Sequence, residues 1–178
     1  MRLYVVRHGQ TNYNDLGLCN ADPTVDVHLT KAGIEQAQAL AQKLKSIPIN
    51  HIFISELKRT KQTADIVNKN HNCAITIDPK LNDNRTGYEG KRSYDYYAAL
   101  DSAENKWTVR FNGGESLEDV KSRVQAFLED LKRTDYDSVL IVTSRVIIQA
   151  IYGILEGVSN QEAWEFSVDK ASCRKFEL

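Results

Sequence analysis

The chain has 178 residues, enough for one domain with a proper core and too few for two. Hydrophobic residues make up 42% and charged residues 26%, which excludes wholesale disorder. A net charge of −1 excludes a nucleic-acid binder that relies on a broad basic field, yet leaves room for a small cationic pocket.

The first element is a short apolar run, Leu3 to Val6, which stops at Arg7 and reads as a buried strand. Residues 10–30, rich in Asn, Asp and Thr, read as loop. Thr30 is placed to cap a helix that runs to about Lys45, with Ile34, Ala37, Leu40, Ala41 and Leu44 on its apolar face. His51 to Ile54 reads as a second strand, followed by a helix from about Glu56 to Asn68, and Ala74 to Ile77 as a third strand.

Residues 78–115 are the least regular stretch. Ser116 and Asp119 then form a capping-box pattern, with Asp in place of Glu or Gln. Behind them Leu117, Val120, Val124, Phe127, Leu128 and Leu131 make one helical stripe. Ser138 to Val142 reads as a fourth strand, Val146 to Leu155 as an apolar helix ended by Gly157, and Ser172 to Leu178 as a last strand. Alternating strands and helices without repeats or a linker predict one α/β domain over residues 1–178. Its architecture is a three-layer αβα sandwich around a mostly parallel sheet.

Ligands of such sheets bind outside the carboxyl ends of the strands. Two strand ends carry reactive residues here: Arg7-His8-Gly9 and Thr143-Ser144-Arg145. A histidine attacks through one ring nitrogen if an acceptor holds the other. An adjacent arginine binds phosphoryl oxygens with its planar fork, and a glycine lets the backbone approach them. Taken alone, the tripeptide also fits a solvated surface loop. The cysteines Cys19, Cys73 and Cys173 are odd in number, without C-x-x-C or zinc spacing, and point to a reducing cytoplasm and no metal site. The N-terminal apolar run is too short for a signal peptide, and no segment approaches the ~20 apolar residues of a membrane span.

The stretch from Arg7 to Asn14 matches R-H-G-x-T-x-x-N, and Ser55 to Ala64 matches S-x-L-x-R-[AT]-x-Q-T-A. Leu29 to Gly33 fits L-T-x-x-G, and Gly114-Glu115-Ser116 fits G-E-S. In this order, from residue 2 to about residue 157, the chain resembles the histidine phosphatase superfamily, the phosphoglycerate mutase-like group (branch 1). The resemblance implies a phosphoglycerate mutase-like fold and a phosphomonoesterase that needs no metal or other cofactor. His8 becomes the phosphorylated nucleophile, Arg7 and Arg59 bind the phosphoryl oxygens, and Thr11 and Asn14 complete the phosphate site. The partner expected is a small phosphorylated substrate, with neither nucleic acid nor membrane; oligomeric state is not indicated. Residues 91–112, with Tyr97, Trp107 and Arg110, are expected to cover the pocket.

Two departures matter. The family's catalytic acid lies in L-x-E ahead of G-x-x-E-G; here Leu81-Asn82-Asp83 and Gly87-Tyr88-Glu89-Gly90 make Asp83 the first candidate and Glu89 the second. The family's second histidine lies in V-S-H-G-G-V-I-R-A. The corresponding text, Val142 to Ala150, puts Ser144 in its place and Arg145 in that of the first glycine. A serine hydroxyl donates a hydrogen bond but brings no charge. Three explanations stand open: a weak natural phosphatase, a pseudophosphatase that binds a phospho-ligand or partner, or a substitution made to trap a complex. The paired change at Ser144 and Arg145 speaks against the last.

Overall fold

The computed structural model describes Met1–Leu178. The elements run β1 (Arg2–Arg7), α1 (Asn12–Leu16), α2 (Lys31–Leu44), β2 (His51–Ile54), α3 (Lys58–Asn68) and β3 (Ala74–Ile77). A 3-10 turn over Pro79–Leu81 follows, then α4 (Ser93–Asp101), α5 (Leu117–Leu131), β4 (Ser138–Thr143), α6 (Arg145–Glu156), α7 (Asn160–Glu165) and β5 (Cys173–Glu177). The sheet order is β3-β2-β4-β1-β5, parallel except for β5, which runs antiparallel to β1.

Every residue of β4 is buried, as expected for a central strand covered on both faces. Alternation sorts the side chains. Leu3, Val5, Val139 and Ile141 pack beneath α5 and α6, against Val124, Phe127, Ile147 and Ile151. Tyr4, Val6, Leu140 and Val142 face α2 and α3, against Leu40, Leu44, Ala64 and Val67. Each fully buried aliphatic side chain contributes about 1.5–3 kcal/mol relative to exposure. The result is three layers, helices–sheet–helices, as the alternation of strands and helices predicts. No helix is long and apolar enough to cross a membrane.

The Thr30 cap is present, its hydroxyl accepting from Gly33 N–H, and so is the Ser116–Asp119 capping box. Other expectations need correction. Ile34 is 39% exposed and does not join the core face of α2. The second helix starts at Lys58, because the Ser55 hydroxyl accepts the Leu57 N–H and pairs with Thr60 Oγ1, holding residues 55–57 out of the helix. Residues 10–30 contain α1, nucleated by reciprocal Thr11–Asn14 capping and ended by Gly17 at φ 65°. The irregular stretch contains α4, and the segment after Gly157 contains α7.

Gly33 explains the L-T-x-x-G pattern. A Cβ there would lie 2.0 Å from the Gln10 carbonyl oxygen, so only glycine lets the loop after β1 close onto α2. Thr30 N–H donates to that same oxygen at 3.0 Å, and Gln10 N–H reaches the Gln36 side chain at 2.9 Å.

Candidate active site

The parallel neighbours β1 and β4 end side by side, Arg7 opposite Thr143, and His8 N–H donates to Thr143 O at 3.1 Å. Beyond these ends lies a polar cavity of about 240 Å³. Arg7, His8, Thr11, Asn14, Arg59 and Asp83 line it, which brings together both arginines, the histidine and the first-choice acid named from sequence.

His8 is buried at 3% exposure. Its Nδ1 lies 2.8 Å from the Gly9 carbonyl oxygen, and its Nε2 lies 3.2 Å from Arg59 Nε. A carbonyl only accepts and a guanidinium only donates, so Nδ1 carries the proton and Nε2 presents its lone pair. Burial first, then the nearby charge of Arg59, with further contributions from Arg7 and Lys170, holds the imidazole well below its usual range and keeps it neutral.

Arg59 projects from the first turn of α3 and is 4% exposed. Besides His8 it donates to Asn20 Oδ1 at 3.0 Å, to Asn20 O at 2.9 Å and to Asp83 Oδ2 at 3.1 Å. Burial lowers its pKa, while the Asp83 carboxylate acts in the opposite direction. Thr63, one turn further along α3, bonds to Arg59 O and accepts Gly9 N–H at 3.3 Å. The S-x-L-x-R-[AT]-x-Q-T-A text is thus a clasp that ties α3 to the loop after β1.

Arg7 donates to Val168 O at 2.6 Å, and its buried Nε has no partner. Asn14 Oδ1 accepts Thr11 N–H, which leaves the amide nitrogen free to donate into the cavity. Asp83 is steered by its neighbours: Thr143 Oγ1 donates to Leu81 O at 2.7 Å, and Arg123 Nη2 to Asp83 O at 3.3 Å. Arg123 is itself paired with Glu115 at 2.9 Å. Glu115 of the G-E-S text therefore holds the loop that carries Asp83.

Glu89 stands elsewhere. It is exposed, accepts Thr86 N–H at 2.8 Å and does not line the cavity. Ser144 caps the N-terminus of α6 without a side-chain hydrogen bond. Its Oγ is buried and partnerless, and it does not line the cavity either. Arg145 and Val146 do. Of the expected cover, Ser93 and Tyr97 line the cavity. Arg110 instead forms a bidentate pair with Asp119, and Trp107 packs against Trp164 and the α5 side of the core.

Lys170 carries no motif signal and lines the cavity. The loop that bears it is docked on the catalytic segment: Ala171 N–H lies within reach of Arg7 O (3.0 Å) and His8 O (3.3 Å), and Arg7 N–H donates to Ser172 O at 3.2 Å. Only the three-dimensional return of the chain through α7 reveals it. No cluster of three or more His, Cys, Asp or Glu side chains forms a metal-donor set.

A neutral buried imidazole beside the Arg59 guanidinium, with Arg7 lining the same cavity at the strand ends of a doubly covered sheet, is an arrangement chemically able to take up a phosphoryl group in an α/β protein. Residues 3–178 match the family described as histidine phosphatase superfamily (branch 1). Phosphoserine phosphatase 1 of Hydrogenobacter thermophilus is 29% identical over 179 residues, which cover 97% of this chain and 84% of that protein. The protein named Probable phosphoglycerate mutase GpmB of Photorhabdus laumondii is 31% identical over 168 residues, 89% of this chain and 76% of that one. The crystal structure of the alpha-ribazole phosphatase of Shigella flexneri superposes with a TM-score of 0.89 at 28% identity, covering 100% of this chain and 91% of the other. The chain belongs to the histidine phosphatase superfamily, branch 1, and its chemistry is that of the phosphatase class of hydrolases.

Proposed function

We propose that this chain hydrolyses small phosphomonoesters without a metal, through a phosphohistidine on His8. The observation that carries the reading is the orientation of His8, with Nδ1–H on the Gly9 carbonyl and the Nε2 lone pair turned to Arg59. The Nε2 lone pair attacks phosphorus as the bond to the leaving oxygen breaks. Arg7 and Arg59 neutralise the phosphoryl oxygens, with Asn14 and Thr11 as further donors. Asp83 gives its proton to the leaving alcohol. In the resting pocket Asp83 is paired with Arg59. An entering dianion competes for that guanidinium and frees the Asp83 side chain to meet the leaving oxygen. Water then attacks phosphorus, Asp83 takes its proton, the P–N bond breaks, and His8 returns to its starting state.

Ser144 brings no charge to the site, and the loss of one charge-stabilising donor costs about 10²–10³ in rate. Lys170, beside His8, supplies part of the missing charge. The reading is therefore a working but slowed enzyme. Residues 1–178 act as one unit, with residues 91–112 covering the pocket through Ser93 and Tyr97. The partnerless Ser144 Oγ favours a second reading, a pseudophosphatase that holds a phospho-ligand with little turnover. Hydrolysis of para-nitrophenyl phosphate in chelator by this protein, His8→Ala and Ser144→His decides between them. Activity that disappears in His8→Ala supports the enzyme. Activity that appears only in Ser144→His supports the second reading, and silence in all three removes the first.

A further inference from the structure

Arg145 opens α6 at the end of β4, and its side chain lines the same cavity as Arg7, His8 and Arg59. Its side-chain hydrogen bond runs from Nη2 to Tyr97 Oη at 2.6 Å. A guanidinium carries five N–H donors, so most of those on Arg145 are free. The guanidinium carbon lies 5.2 Å from the Tyr97 ring centre and 5.7 Å from that of Trp164. Contacts of this kind act on the face of the guanidinium and leave the edge N–H groups to donate.

The other two guanidiniums of the cavity are more heavily engaged. Arg59 donates to His8, to the side-chain and backbone oxygens of Asn20 and to Asp83. Arg7 donates through Nη1 to Val168 O. After burial, the charge of Arg145 is the largest influence that lowers the pKa of Arg7, so the two guanidiniums stand close enough to repel. An anion between them relieves that repulsion. The Ser144 hydroxyl, one residue earlier, is buried and does not line the cavity. At the end of β4 it is therefore Arg145 that offers donors and charge to a bound group.

We propose that Arg145, held by Tyr97 and Trp164, is a third phosphoryl-binding guanidinium and a catalytic residue, donating N–H to a non-bridging oxygen that it shares with Arg7. The contact strengthens as the bond from His8 Nε2 to phosphorus forms and the bond to the leaving oxygen breaks, because charge then spreads over the non-bridging oxygens. Tyr97 belongs to α4 and Trp164 to α7, so two separate elements fix the side chain before substrate arrives, which lowers the cost of ordering it. The inference rests on the phosphatase reading, since it takes His8 and Arg7 as the phosphoryl site.

The test uses inorganic phosphate, which has no leaving group, beside two esters that differ in theirs, phenyl phosphate and para-nitrophenyl phosphate. The full chain is compared with Arg145→Met, Arg145→Gln and Arg145→Lys, the first two giving the same comparison if either fails to fold. Calorimetry reads the phosphate dissociation constant, and steady-state kinetics read kcat/KM. The expected result in Arg145→Met and Arg145→Gln is phosphate binding about tenfold weaker and kcat/KM about 10²-fold lower, by the same factor for both esters, with partial recovery in Arg145→Lys. A purely structural role would not single out the charge-keeping variant for recovery. Unchanged phosphate affinity in Arg145→Met and Arg145→Gln, with activity that still depends on His8, overturns this proposal and leaves the phosphatase reading standing. Losses that differ tenfold or more between the esters also overturn it, because they place Arg145 on the leaving group. Phosphate binding that weakens in the variants of a chain without turnover supports the anion contact and removes the phosphatase reading and the catalytic role together.

Discussion

Arg59 donates its Nε–H to Nε2 of His8 at 3.2 Å, the atom proposed to attack phosphorus. The guanidinium thus helps fix the tautomer, lowers the imidazole's affinity for protons and, in the proposed mechanism, binds the phosphoryl oxygens. It also holds the acid through Asp83.

Loss of Arg59 is therefore expected to injure three functions at once. Arg59→Met should lower kcat on para-nitrophenyl phosphate by about 10²–10³. Arg59→Lys should recover only part, since a single ammonium cannot span His8, Asn20 and Asp83. Steady-state kinetics of both variants check this; a Lys variant equal to the parent would show that the fork is unnecessary.

Buried neutral His8 links stability to pH. Its folded-state pKa is depressed below the unfolded value of about 6.5. Above 6.5 neither state holds the proton. As pH falls through 6.5, the unfolded chain binds a proton that the folded chain refuses, so stability declines towards acid. His51 and His71, also depressed by burial, act in the same sense. Denaturant titrations between pH 7 and 5 should show this slope, and a smaller one in His8→Gln. An unchanged slope in that variant would mean that His8 titrates normally.

Lys170 and position 144 should be coupled. Lys170→Met is expected to lower kcat about tenfold, discounted from a buried donor because the side chain is part-exposed. Ser144→His should raise kcat. If both groups serve the same charge, the Lys170 effect shrinks in the Ser144→His background, and a double-mutant cycle measures the difference. Strict additivity would separate Lys170 from the phosphoryl site.

Gly33→Ala tests the closure of the catalytic loop on α2. The added methyl would meet the Gln10 carbonyl at 2.0 Å, and backbone must move. The expected cost is about 1–3 kcal/mol in denaturant unfolding, with reduced phosphate binding because Arg7 and His8 precede the displaced loop. A stable, fully binding variant would show that the loop tolerates the shift.

Much of this was legible in the sequence. The stripe from Leu117 to Leu131 is entirely buried, and strands β2 and β3 fall at the residues that their apolar runs predict. Arg7, His8, Thr11, Asn14, Arg59 and Asp83, all named from motif text, line one cavity; Arg7 and His8 stand at the end of β1 and Arg59 opens α3, both of which the apolar pattern indicates. What stayed hidden depends on tertiary return. Lys170 reaches the cavity through a loop whose anchors, Val168 O and Ala171 N–H, are backbone atoms with no side-chain signature. Short helices α1 and α7 are set by capping rather than by apolar periodicity, so hydrophobic pattern misses them. Arg110 reads as part of the pocket's cover because sequence cannot show that Asp119 already holds it.

The central claim is that His8 carries the phosphoryl group. Rapid acid-free quenching during turnover in chelator, followed by peptide mass spectrometry, reads it directly. The account predicts an acid-labile phosphoryl adduct on His8 that forms and decays at rates compatible with turnover, and that is missing in His8→Ala along with the activity. Hydrolysis that persists in His8→Ala, or turnover with no adduct on His8, would contradict it.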